Sequence, residues 1–147
     1  MTKYSIVKEF RFEAAHRLEH HEGKCRRLHG HSYRFEVELG VTHLKQSGPA
    51  RGMVMDFDTI TRIVQHNIID RWDHKFLVSR ENLMDGFTLV TALRTNEKVE
   101  IGREVSTAEN LAEAVHALIL PQMQEPDEIV RVTLWETAKC QSTFRIS

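Results

Sequence analysis

Two segments of this chain alternate apolar and polar residues with a period of two, and each carries a histidine on its apolar side. From Val7 to His16, the residues Phe10, Phe12, Ala14 and His16 share one parity, while Glu9, Arg11 and Glu13 take the other. From His31 to Val41, the residues Tyr33, Phe35, Val37, Leu39 and Val41 oppose Arg34, Glu36 and Glu38. A side-chain period of two marks a half-buried strand. Both segments are therefore predicted to be strands; His16 ends one buried face and His31 shares parity with the other.

The stretch between them ends in Cys25-Arg26-Arg27-Leu28-His29-Gly30-His31. If the residues after Leu28 are extended, His29 and His31 share a face and Gly30 leaves room between them. His16 completes a trio from a neighbouring strand. Three neutral imidazoles suit zinc and leave the fourth tetrahedral position for water or substrate, the catalytic arrangement rather than the closed structural one. Cys25 separates the two readings. As a fourth ligand it closes the shell; outside the shell it is a thiol acidified by the cation and free to move protons.

With 147 residues and 41% hydrophobic content, the chain fits one compact domain, residues 1–147, with its own core. A formal charge of −1 gives no overall electrostatic case for nucleic acid or an anionic membrane as partner. Neither a signal-peptide core nor a stretch long enough to span a bilayer is present, which predicts a cytoplasmic location. The two cysteines, Cys25 and Cys140, allow at most one bridge. In a reducing compartment a cysteine beside histidines belongs with metal or catalysis, and Cys140 is read as a free thiol.

Gln46-Ser47-Gly48-Pro49 reads as a loop. A helix from Asp58 to near Arg71 presents Ile60, Ile63, Val64, Ile68 and Trp72 at three-to-four spacing. Phe87 to Leu93 reads as a short strand inside an otherwise looped Val78 to Glu104. Ser106-Thr107-Ala108-Glu109 matches a capping box opening a second helix, with Leu111, Ala112, Val115, Leu118 and Ile119 as its stripe and Pro121 at its end. Ile129 to Glu136 and Ser142 to Ile146 are predicted strands around a turn at Ala138-Lys139-Cys140. The order favours an α+β fold, a four-stranded antiparallel sheet with two helices on one face. Such a sheet leaves edges, and joining subunits into a closed barrel is one way to cover them.

Glu136 follows the apolar parity of its strand. A buried carboxylate calls for converging donors, and a planar ligand with two adjacent N–H groups would meet it bidentately; the alternative is a frayed strand end in water. Asp73 beside His74 suits a general acid near neutrality, although most such neighbours are surface pairs. Lys24, Arg26 and Arg27 place positive charge beside the presumed metal, which suits a phosphorylated small substrate or simply a solvated loop. His20, His21, His43, His66 and His116 read as solvated.

Together, Phe12-Glu13-Ala14-Ala15-His16, Cys25 to His31, Asp73-His74, Ser106-Thr107-Ala108-Glu109-Asn110 and Trp135-Glu136-Thr137 resemble the 6-pyruvoyltetrahydropterin synthase and 6-carboxytetrahydropterin synthase family, in the family's order and over nearly the whole chain. The resemblance implies a tunnelling fold assembled as trimeric barrels stacked into homo-hexamers, with active sites between subunits. It implies Zn2+ on His16, His29 and His31, Cys25 as catalytic base, and Asp73 with His74 as proton relay. Glu136 would anchor the amino-pyrimidinone edge of a pterin, with Thr107 adding a hydrogen bond. The implied substrate is 7,8-dihydroneopterin triphosphate. Three residues between Cys25 and His29 look like the carboxy-forming bacterial branch, whose product, 6-carboxy-5,6,7,8-tetrahydropterin, leads to 7-deazapurines and queuosine with release of acetaldehyde and triphosphate. The pyruvoyl enzymes instead eliminate triphosphate and keep the side chain. A non-catalytic zinc-stabilised module with Cys25 as fourth ligand is the reading from another class. Ser79 to Val105 is longer than that branch leads one to expect.

Overall fold

The computed structural model describes residues 1–146 except 82, 84, 96, 97, 103, 104, 125 and 126. Strand β1 (Tyr4–His16) pairs antiparallel with β2 (His29–Val41) along the full length of both, with Tyr4 opposite Val41 and His16 opposite His29. The inward parity is the one read from the sequence. Phe10 faces Phe35 and Phe12 faces Tyr33 across the pair, the latter stacked with ring centroids 4.8 Å apart. Aromatic cross-strand pairs of this kind hold register, because a one-residue slip would turn the whole apolar row to water.

Beyond β2 lie β5 (Glu128–Thr137) and β6 (Cys140–Arg145), both antiparallel. On the other flank, β3 (Lys75–Val78) runs parallel to β1 and β4 (Lys98–Glu100) runs parallel to β3. The sheet is thus mixed, in the order β4-β3-β1-β2-β5-β6, and not the four-stranded antiparallel sheet expected. The strand β3 escaped the parity argument for a physical reason. Phe76, Leu77 and Val78 are all buried, so β3 is a continuous apolar run, as parallel strands covered on both faces are.

The first helix starts at Phe57 rather than Asp58: α1 (Phe57–Val64) is capped by the Asp56 carboxylate, which accepts from the Asp58 amide at 2.8 Å. It continues through a wide turn (Gln65–Ile69) into α2 (Asp70–Trp72). Its buried residues are Ile60, Val64, Ile68 and Trp72, each four apart. At 3.6 residues per turn such a row drifts round the axis, and a turn widened toward five residues resets it onto the sheet. Phe87 to Leu93 is helical, within α3 (Gly86–Thr95), and not a strand. Asp85 accepts from the Thr88 amide at 3.1 Å, an N-cap that overrides the β-propensity of the run. In α4 (Ala108–Ile119) the cap is Thr107, accepting from the Asn110 amide at 3.3 Å, one residue later than the predicted Ser106 box. His116 is buried on α4, 5.0 Å between ring centroids from Phe144, and not solvated as expected.

The helices and the inner sheet face share one apolar cluster that includes Phe12, Tyr33, Phe35, Leu39, Ile60, Trp72, Leu111 and Ile119. Fully burying each such side chain contributes about 1.5–3 kcal/mol. Opposite Leu39 stands Ile129, because the β2–β5 register slips after Glu38 and Arg131. Hence Ile129, and not Val130, which shares the parity of Glu136, enters the core. None of the described helices is long and apolar enough to cross a membrane.

Candidate active site

The β1–β2 pairing places His16 directly across from His29, and His31 follows two residues on along the same face. Gly30 between them lies against β1: a Cβ there would stand 3.1 Å from the Ala14 carbonyl oxygen. The three rings converge edge to face, with centroids 4.7–5.0 Å apart, and one ring nitrogen from each lies within 4.8 Å of the others. Among the described residues one further group, Glu19, His20 and Glu81, meets the same distance test, and it lies mostly in solvent.

The protonation of the trio follows from its partners. His16 Nδ1 donates to the Ser106 carbonyl at 2.7 Å, and His29 Nδ1 donates to the Arg27 carbonyl at 2.6 Å. A carbonyl only accepts, so both protons sit on Nδ1 and both Nε2 atoms present lone pairs. Those Nε2 atoms face each other at 3.1 Å. Burial, then the neighbouring His29 and His31, pull the His16 pKa down to about 4 against the Ser106 carbonyl, so a second proton on His16 does not relieve the clash at neutral pH. Burial, then His29, likewise lowers that of His31. Two facing lone pairs call for a cation, and the span is near the roughly 3.3 Å that two bonds of about 2.0–2.1 Å set at a tetrahedral zinc. Carbonyl acceptors behind ligating imidazoles are the usual outer support of such a site. The residues fit a metal ion.

Glu136 is held beside this trio, its Oε1 3.8 Å from His16 Nε2. It is the extra residue of a bulge, because Trp135 pairs with Gln141 and Thr137 with Cys140. Bulges re-aim side chains near functional sites. Burial first, then Glu109, raises its pKa, with His29 opposing. The Tyr33 hydroxyl is buried without a partner among the described residues, and burial, then the charge of Glu136, pushes its pKa up.

Cys25 sits half-buried in a short turn, Lys24–Arg26, and is not in the group of converging ligand atoms. Cys140 is exposed and free. Lys24, Arg26 and Arg27 are all exposed, and the last two line a recess of about 290 Å³ with Arg17 and Phe87. Thr107 caps α4 next to Ser106, whose carbonyl orients His16.

Asp73 and His74 form a tight turn after α2. Asp73 Oδ1 accepts from the Glu13 amide at 2.8 Å, and the His74 amide donates to the Glu13 carbonyl at 2.6 Å, so the turn is clamped to β1. His74 has φ +59°, a left-handed conformation uncommon for a side-chain-bearing residue. Its ring is 76% exposed, with Nδ1 2.9 Å from Asp73 Oδ2. The Glu13 amide is the main cause of the lowered Asp73 pKa, His74 a further one, with burial opposing. His74, His31, Gly30 and Leu28 line one cleft of about 480 Å³.

Sequence reasoning missed Ser106, Tyr33 and Arg17. Ser106 acts through its carbonyl, for which no residue type is a signal. Tyr33 was counted as core by parity, and its hydroxyl carried a warning that parity ignores.

Residues 5–147 match the family model described as 6-pyruvoyl tetrahydropterin synthase. The chain is 34% identical over 134 residues to the 6-carboxy-5,6,7,8-tetrahydropterin synthase of Haemophilus influenzae, covering 91% of this chain and 93% of that one. In three dimensions it resembles the 6-pyruvoyl tetrahydropterin synthase of Caenorhabditis elegans, with a TM-score of 0.67 at 26% identity over 98% and 96% of the two chains. An uncharacterized protein from Wolinella succinogenes shares the fold with a TM-score of 0.77 at 21% identity, over 98% of both. With the family match spanning nearly its full length, the chain belongs to the 6-pyruvoyl tetrahydropterin synthase family.

Proposed function

We propose that this chain converts 7,8-dihydroneopterin triphosphate and water to 6-carboxy-5,6,7,8-tetrahydropterin, acetaldehyde and triphosphate, with Zn2+ held by His16, His29 and His31. The observation that carries the metal is the facing pair of Nε2 lone pairs, fixed by the carbonyls of Ser106 and Arg27. The relatives named for the carboxy product support the choice of reaction. When bound, zinc supplies Lewis acidity toward oxygens of the substrate side chain.

The remaining work falls to side chains. Glu136, re-aimed by its bulge, accepts two N–H groups of the amino-pyrimidinone edge. A pterin there replaces water around a carboxylate that burial already disfavours. The Thr107 hydroxyl, which accepts from the Asn110 amide as a cap, donates its proton to the same ring. Cys25, outside the ligand set, takes the proton from the side-chain carbon beside the ring. His74, oriented by Asp73, returns a proton, and its exposure keeps it in exchange with water. Lys24, Arg26 and Arg27 hold the triphosphate. The protein acts as one tunnelling-fold domain in the cytoplasm, its sheet edges joined into trimeric barrels that stack as hexamers, with active sites between subunits.

Incubating purified, zinc-loaded protein with dihydroneopterin triphosphate and identifying every product by mass spectrometry tests this reading. Acetaldehyde in equal amount to 6-carboxytetrahydropterin is expected. A product that keeps its three-carbon side chain assigns the pyruvoyl reaction instead. Loss of zinc and unfolding on Cys25→Ala would make the site a structural module.

A further inference from the structure

We propose that Arg17 and Asp85 are positioning residues for the Cys25 loop, latching it to the N-terminal end of α3. The proposal rests on the reading of Cys25 as the base. Arg17 follows His16 at the end of β1 and is 8% exposed. Its Nε donates to the Arg26 carbonyl at 3.0 Å, one terminal nitrogen meets the Asp85 carboxylate and, at 3.3 Å, the Thr88 hydroxyl, and the guanidinium lies 4.6 Å from the centre of the Phe87 ring. The next residue contributes a second tether, for the Leu18 amide donates to the Cys25 carbonyl at 2.9 Å. Two consecutive residues leaving the metal-facing strand therefore hold the carbonyls of two consecutive residues in the cysteine turn.

Within itself the turn is closed by the Arg26 amide donating to the Gly23 carbonyl at 3.2 Å and the Arg27 amide donating to the Lys24 carbonyl at 3.0 Å. None of its residues is buried, and no side chain caps it. A buried guanidinium in turn needs a counter-charge, because an unpaired buried ion is strongly unfavourable. Asp85 supplies that charge while also capping α3 through the Thr88 amide and hydroxyl. The planar fork of arginine holds several acceptors in one rigid arrangement, which lysine does not reproduce. The segment from Ser79 to Val105 thereby reaches the cysteine turn through Arg17: Asp85 pairs with its charge, Phe87 packs against it, and Arg17 sets where the Cys25 backbone stands relative to His16.

The test uses zinc-loaded full-length protein carrying Cys140→Ser, which leaves Cys25 the sole thiol, and the variants Arg17→Met, Arg17→Lys and Asp85→Asn. The readouts are the rate of Cys25 alkylation by iodoacetamide at fixed pH, zinc per chain, and kcat and KM. Losing charge-assisted bonds frees the turn, so alkylation rises about tenfold in Arg17→Met. A base displaced by about an ångström lowers kcat by about 10- to 100-fold, while KM and zinc content stay as in the parent. Arg17→Lys recovers part of both effects, and Asp85→Asn falls between. Parental alkylation and kcat in folded Arg17→Met overturn the proposal. If that variant does not fold, parental alkylation in both Arg17→Lys and Asp85→Asn overturns it. Alkylation needs no turnover, so a parent inactive on the pterin defeats the reaction assigned above while this latch is still decided by its own readout.

Discussion

The histidine trio and the Asp73–His74 turn are built in opposite ways. The trio stands on two strands paired with each other along their full length, its rings converge on one face, and each supported ring has a carbonyl behind it. The turn stands on a left-handed residue, and its imidazole is mostly in water. A metal site needs ligands held rigidly in a dry environment, whereas a proton carrier needs exchange with solvent and freedom to reorient. The sheet-borne trio suits the metal site proposed for it, and the strained connection suits the proposed proton carrier.

The contrast can be broken most severely at the trio. His16→Ala loses bound zinc and turnover together, and stripping zinc from the parent destabilises by about 4 kcal/mol when free metal is near a thousand times Kd. Metal analysis and thermal melts check both, and a variant that keeps full zinc refutes the assignment. Cys25→Ala keeps its zinc and loses about 10²- to 10⁴-fold in kcat, read by turnover and metal content on one sample.

Glu136→Gln raises KM for the pterin while raising the melting temperature of metal-free protein at pH 7. Its folded pKa is raised by burial, so the ionised form is disfavoured by folding. That penalty is present at high pH and vanishes below the ordinary value of 4.5, where the two melting curves should merge. At the turn, His74→Gly lowers kcat by about 10²-fold, leaves zinc untouched, and stabilises the fold by up to about 1 kcal/mol through relief of the left-handed strain; a drop in stability would sink the strain argument. The smallest effect is Asp73→Asn. The depressed pKa of Asp73 contributes stability above its unfolded value of 3.8 and loses it as pH falls through the depressed value. The variant is modestly less stable at pH 7, and the difference closes in acid.

Parity and spacing carried far in some regions and not in others. The rows Phe10 to His16 and Tyr33 to Val41 were legible because each buries one face only, so water itself writes the alternation. The short parallel strands Lys75–Val78 and Lys98–Glu100 left no such record. The α3 helix looked like strand because its β-branched and aromatic residues were weighed without Asp85, the cap that starts it. Glu136 was placed on the buried parity, yet its aim depends on a bulge set by the β5–β6 register, and no local pattern announces a bulge. His116 was read as surface although it closes the core against Phe144, a contact between residues far apart in the chain.

By itself the amino-acid order determined which residues share a face: a period of two puts His29 and His31 together and His16 on the inward side of its own strand. Only the tertiary structure decided what stands behind those faces. The Ser106 carbonyl at His16, the Asp85 carboxylate at Arg17 and the Glu13 backbone at the Asp73–His74 turn come from distant segments. Their contribution is a lone pair or an amide placed at a distance, and distance is a property of the packed chain.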